Sequence, residues 1–212
     1  MKKYQKKFIE LSLQAKALKF GDFTLKSGRQ SPYFFNAASL IEYGELSILA
    51  DCLKTKVKED GLKFDMIFGP AYKGIFLASI IGASLGKSDL DIPVSFNRKE
   101  EKDHGEGGDI IGQLPSGNVL IVDDVISAGT AARESIEKIK SIGANPKIML
   151  VGLDRQEKGS SNISAKDELE NDFELIVSSI VNLDLLISFV SDDPNFKEFK
   201  SDLEEYRNNW GA

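Results

Sequence analysis

The sequence predicts an α/β fold, a central mainly parallel sheet flanked by helices, on three observations. From residue 62 onward, short apolar runs alternate with helical patterns, as strand–helix–strand units require. Val119-Leu-Ile-Val122 is apolar without interruption, which suits a parallel strand covered on both faces. Ala132, Ile136, Ile139 and Ile142 then recur at spacings of four, three and three, so one helix face packs against the sheet.

The elements follow in order. Residues 5–20 carry Phe8, Ile9, Leu11, Leu13, Ala15, Leu18 and Phe20 at mostly helical spacing, and Gly21 stops the pattern. Residues 23–35 alternate around a Ser-Gly and a Ser-Pro and read as short extended pieces joined by turns. Residues 1–40 form an appendage to a core spanning 41–212 within one structural domain. In that core, residues 64–68 are a strand ending at Gly69-Pro70, and residues 75–85 are a largely apolar helix. Strands follow at 93–96, 119–122, 147–153 and 173–181, with the Ala132 helix between the second and third; helices at 183–190 and 194–210 close the chain.

Composition narrows the function. The 212 residues are 42% hydrophobic, enough for one sizeable core. With 33 acidic against 27 basic side chains, the net charge of −6 opposes nucleic acid or an anionic membrane as the main partner. Cys52 is alone, so no intramolecular disulfide forms, and the basic stretch at residues 1–7 leads into no apolar export segment. The longest uncharged stretch, residues 74–86, falls short of the roughly 20 apolar residues that span a bilayer. A cytoplasmic location is expected.

The segment Val119-Leu-Ile-Val-Asp123-Asp124-Val125-Ile126-Ser127-Ala128-Gly129-Thr130 carries the chemistry. A strand delivers two carboxylates, and a turn of small residues delivers backbone amides. The helix starting near Thr130 aims free N–H groups and its positive dipole end at that turn, so a phosphate group fits there. Adjacent acids beside a phosphate repel by about 1 kcal/mol in water and roughly 4 at an intermediate dielectric. A sugar diol or a divalent cation relieves that. The chain has no Walker loop, and Gly105-Glu-Gly-Gly108 lacks the spacing of a dinucleotide fingerprint.

Four apolar residues, two acids, two apolar residues and a small-residue loop ending Gly-Thr resemble the phosphoribosyl diphosphate signature of the type I phosphoribosyltransferases. Four more segments are similar to the orotate phosphoribosyltransferase family, a resemblance that extends over nearly the whole chain. They are Lys26-Ser-Gly-Arg-Gln-Ser-Pro-Tyr-Phe34-Phe35-Asn, like its N-terminal hood, and Gly69-Pro-Ala-Tyr72-Lys73-Gly74, like its diphosphate loop. Arg98-Lys99-Glu-Glu-Lys102-Asp-His104-Gly-Glu-Gly-Gly resembles its catalytic loop, and Leu153-Asp-Arg155-Gln-Glu the segment that meets the orotate ring. Ser127 departs from the threonine common in that family; it keeps the hydroxyl and loses a methyl.

The resemblance implies the type I phosphoribosyltransferase fold with a small N-terminal hood. It also implies a role for each segment. The turn from Ser127 through Ala128, Gly129 and Thr130 to Ala131, following Val125 and Ile126, holds the 5-phosphate of phosphoribosyl diphosphate. Asp123 and Asp124 face the ribose hydroxyls and the positive charge that develops at C1. Lys73, beside Tyr72, holds the diphosphate. Arg98, Lys99, Lys102 and His104 belong to a charged segment without apolar anchors, suited to a lid; Lys99, Lys102 and His104 act there as electrostatic or general-acid groups. Lys26, Phe34 and Phe35 contact orotate, although adjacent aromatics on extended backbone often only pack, because they point to opposite faces. Arg155 pairs with the orotate carboxylate, a task for which a guanidinium can be bidentate. Magnesium is expected to arrive with the diphosphate, no protein side chain being assigned as its ligand. A homodimer with shared active sites is implied too. The rivals are a phosphoribosyltransferase for another base, opposed by Phe34-Phe35 and the charged loop, and a non-catalytic regulator binding phosphoribosyl diphosphate or RNA, opposed by the acidic charge.

Overall fold

A computed structural model describes residues 1–25, 28–86, 92–102 and 108–212. Among the described residues eight strands and eight α-helices follow in the order α1 (Lys3–Gln14), β1 (Leu18–Thr24), β2 (Gln30–Phe35), α2 (Ala38–Tyr43), α3 (Leu46–Glu59), β3 (Met66–Gly69), α4 (Lys73–Gly86), β4 (Val94–Lys102), β5 (Gly108–Gly112), β6 (Asn118–Ile126), α5 (Thr130–Ser141), β7 (Asn145–Asp154), α6 (Ala165–Phe173), β8 (Ile176–Asn182), α7 (Leu183–Asp192) and α8 (Lys200–Trp210). The main sheet has the order β5-β4-β3-β6-β7-β8. Every neighbouring pair is parallel except β4 with β5. A separate antiparallel sheet joins β1 to β2. Among the described residues no helix is long and apolar enough to cross a membrane.

Alternation along the central strands builds two cores. Leu120 and Val122 of β6, with Ile148 and Leu150 of β7, face α1, α3, α4 and α7. Val119 and Ile121, with Met149 and Val151, face α5 and α6. These side chains are essentially fully buried, each worth about 1.5–3 kcal/mol relative to exposure, which explains why β6 reads as an unbroken apolar run.

The sequence pattern left α2, α3, β5 and α6 unassigned, and Phe173, expected to open a strand, instead ends α6; other elements depart as well. The first helix ends at Gln14 rather than near residue 20, because Lys16 turns left-handed (φ 54°) and Leu18 and Phe20 pair with Phe35 and Tyr33 of β2. Its residues Phe8, Ile9 and Leu11 share the main core with α3 and α4, so α1 is integral to that core and not an appendage. The strand expected at 93–96 continues to Lys102, because β5 pairs with it as an antiparallel arm. The charged residues of β4 thus lie one strand in from the edge of the sheet, which is β5. At the C-terminus, a 3₁₀ turn at Lys197–Phe199 precedes α8; Phe196 and Phe199 lie 5.7 and 5.4 Å from the ring of Phe20 and hold that turn against β1.

Candidate active site

The site lies where β3 and β6 end, and two glycines bring its halves together. A Cβ on Gly69 would sit 2.3 Å from the carbonyl oxygen of Gly74; one on Gly74 would sit 2.4 Å from Pro70 Cδ and 2.7 Å from the Val122 carbonyl oxygen. Only glycine lets the start of α4 press so closely onto both strands. Lys73, the first residue of α4, therefore reaches the end of β6, where its Nζ donates to Asp124 Oδ2 at 2.6 Å. Asp124 is 6% exposed. The loop before α4 is held from β4, as Ala71 N–H donates to Asn97 Oδ1 at 2.8 Å.

Consecutive strand residues point to opposite faces, so Asp123 turns away from Lys73. It lines a cleft of about 350 Å³ together with Pro70, Ala71, Arg98, Lys99 and Ala131. Its Oδ1 accepts the Asp124 N–H at 2.8 Å. Burial first, and then the neighbouring Asp124 charge, push its carboxyl up to about 7, so Asp123 is poised to change charge near neutrality. Arg98 Nε is buried in this region with no hydrogen-bond partner among the described residues. Lys99 Nζ lies 4.9 Å from the centre of the Tyr72 ring, and Tyr72 is 68% exposed at the mouth of the site.

Beyond Ile126 the chain makes the small-residue turn. Gly129 adopts φ 81° as the residue before α5, a conformation that strains any side chain. Among the described residues, the amides of Ser127, Ala128, Gly129, Thr130, Ala131 and Ala132 find no acceptor, and Arg133 N–H is the first to bond, to Gly129 O at 3.0 Å. Free amides converging at a helix N-terminus form an anion cradle. From one end to the other, the site offers free amides, two carboxylates and an ammonium. Such a gradient matches a phosphorylated sugar diphosphate and suits a phosphoribosyltransferase.

The other expected residues divide. Ile126 is 2% exposed and packs with α5 and α6, while Val125 packs on the opposite core, so only their backbones are available to a ligand. Phe34 is 38% exposed, whereas the Phe35 ring is buried 6.1 Å from Phe8, as opposed faces of a strand require. The Phe35 ring thus packs in the core, and Phe34 is the member of the pair with an exposed ring. Arg155 stands at the end of β7 as expected, but the bidentate reading needs correction. Its Nε donates to Glu157 Oε1 at 2.6 Å, and its Nη2 to Ser31 Oγ and to the Tyr206 hydroxyl at 2.9 Å each. Both forked edges of a guanidinium include Nη2, so neither is free. Lys26 and His104 lie outside the described residues, as does the side chain of Lys102, whose backbone is in β4. Sequence reasoning missed Asn97, which anchors the diphosphate-loop segment, and the partners of Arg155. Glu157 lay within a quoted motif; Ser31 and Tyr206 are distant in the chain and carried no local signal.

The model of the phosphoribosyl transferase domain matches residues 42–178, more than half of the chain, which therefore belongs to the phosphoribosyltransferases. The chain is 47% identical over 212 residues to an orotate phosphoribosyltransferase of Marinobacter nauticus and 48% identical over 213 residues to one of Escherichia coli, with full coverage of both partners. A crystal structure of orotate phosphoribosyltransferase from Francisella tularensis superposes with a TM-score of 0.83 at 39% identity, covering 97% of this chain and 99% of that one. Within the wider class, then, this chain is a member of the orotate phosphoribosyltransferase family.

Proposed function

We propose that this enzyme transfers the phosphoribosyl group of 5-phosphoribosyl 1-diphosphate to orotate, giving orotidine 5′-phosphate and diphosphate in pyrimidine nucleotide synthesis. The observation that carries the reading is the Lys73–Asp124 pair beside the unsatisfied amides of Ser127 to Ala132. Those amides bind the 5-phosphate. Asp123 and Asp124 accept from the ribose hydroxyls, and their negative charge stabilises the cationic C1 as its bond to diphosphate loosens. The electron pair of that bond leaves with diphosphate, while a ring nitrogen of orotate forms the new bond to C1 and releases its proton, which the departing diphosphate accepts. Lys73 exchanges its Asp124 contact for the departing diphosphate. Lys99, Lys102 and His104 close over the leaving group, exclude water and neutralise its charge. Phe34 covers the base, and Arg155 contacts its carboxylate through Nη1, which has no hydrogen bond among the described residues.

Magnesium arrives on the diphosphate, whose hard oxygens suit that cation and its retained waters. Asp123 and Asp124 are the hard oxygen donors beside it, and the ion when bound neutralises diphosphate charge. The active unit is a homodimer in which the charged segment of one subunit completes the partner's site. Exposed Ile111 and Leu114, at and just beyond β5, support an apolar contact there. A cytoplasmic location, with no nucleic-acid or membrane partner, completes the reading and rests on the lone Cys52 and the acidic balance.

The test is loss of orotate absorbance with phosphoribosyl diphosphate and Mg²⁺, run against adenine, hypoxanthine and uracil. Consumption of orotate that none of the three bases inhibits is expected. Consumption of another base instead, or of none, refutes the proposal.

A further inference from the structure

The guanidinium of Arg155 is held on three sides, by Glu157, Ser31 and Tyr206. Its Cζ lies 4.1 Å from the centre of the Tyr33 ring and 5.5 Å from that of Tyr206, and the two rings meet edge to face. Around its rim the donors and acceptors are fully determined. The Tyr206 hydroxyl donates to Glu157 Oε1 at 2.5 Å, so only its lone pair is left for Arg155 Nη2. Ser31 Oγ likewise donates to the Tyr33 carbonyl at 2.7 Å and accepts from Arg155. The second oxygen of Glu157 accepts from Arg29 Nη1 at 2.6 Å, and Arg29 stacks 4.3 Å from the centre of the Trp210 ring.

Two consequences follow from this arrangement. Arg155 cannot change rotamer without breaking three hydrogen bonds, so its remaining amino group, Nη1, has one position relative to β2 and β7. Charge balance within the cluster is incomplete as well, because two guanidiniums, Arg29 and Arg155, share one carboxylate, Glu157. The surplus positive charge in a buried setting attracts an anionic ligand group and disfavours a neutral one.

We propose that Glu157 and Tyr206 are positioning residues for base recognition, which clamp Arg155 so that a single amino group meets the base carboxylate. The C-terminal helix thereby becomes part of the base site. Its end is tied down independently, as Lys158 N–H donates to Trp210 O at 3.1 Å and Ala212 N–H to Gln156 O at 3.2 Å. The inference rests on the reading above in which Arg155 faces orotate.

Tyr206→Phe keeps the ring on Tyr33 and removes only the hydroxyl. The expected result is an orotate KM raised about five- to ten-fold, a phosphoribosyl diphosphate KM within about two-fold of wild type, and a smaller change in kcat. Arg155→Ala raises the orotate KM in the same way, and adding Tyr206→Phe to it raises that KM no further, since the clamp then has nothing to hold. Thermal unfolding of each variant checks that it is folded, and Glu157→Gln replaces Tyr206→Phe in the cycle should the latter not fold. An unchanged orotate KM in folded Tyr206→Phe, or an equal rise with and without Arg155, overturns the positioning role. An unchanged orotate KM in Arg155→Ala removes Arg155 from the base site and the clamp with it. Absence of orotate turnover in wild type instead refutes the proposed function.

Discussion

Asp123→Asn separates catalytic charge from folding stability at one atom. The carboxyl is raised from 3.8 to about 7 in the folded chain, by burial and then by Asp124. Below pH 4 the folded and unfolded chains both hold the proton, and the group has no effect on stability. Between 4 and 7 only the folded chain holds it, so stability falls as pH rises; above 7 neither does, and the penalty is complete. About three pH units at 1.36 kcal/mol each set a ceiling of roughly 4 kcal/mol. Asparagine has nearly the same shape, still accepts from Asp124 N–H and carries no charge. The variant should therefore match wild type near pH 4 and exceed it by about 2–4 kcal/mol at pH 8, measured by denaturant unfolding across that range. Turnover should fall at least about 100-fold, the order seen when one charge-stabilising group is removed. An unchanged difference between variant and wild type from pH 4 to 8 would refute the placement of Asp123 as a buried acid with a displaced titration.

Further substitutions probe the other parts. Gly74→Ala forces a Cβ against Pro70 and Val122; it should destabilise the chain by about 2 kcal/mol in denaturant unfolding and raise the phosphoribosyl diphosphate KM by moving Lys73. His104→Ala should lower kcat more than it weakens phosphoribosyl diphosphate binding, and a limb near neutrality that persists in its kcat–pH profile belongs to Asp123 rather than to the only histidine. Mixing Lys102→Ala with Asp124→Ala chains should restore roughly a quarter of wild-type activity, since half of randomly assorted dimers are mixed and each has one intact site where Lys102 acts across the dimer. No recovery in proven heterodimers excludes shared sites.

What could be read ahead of the structure follows from where each interaction lies along the chain. The geometry of Asp123, Asp124 and the turn to Ala131 was legible because strand, carboxylates, free amides and helix are contiguous, so the local pattern alone specifies it. The first helix was read too long because Leu18 and Phe20 sit at helical spacing, while their β2 partners Phe35 and Tyr33 are supplied from 17 and 13 residues away. Pairing energy between distant segments overrode local periodicity there. The same reason hid the extension of β4, since strongly charged residues become a strand only when β5 folds back on them. Arg155 is the sharpest case. Its residue type and its place at a strand end suggested a free carboxylate fork, yet partners 124 and 51 residues away occupy that fork and convert a flexible cation into a fixed one. A guanidinium with one amino group remaining discriminates by the position of a single anionic contact, which is a stricter demand on the base than charge alone.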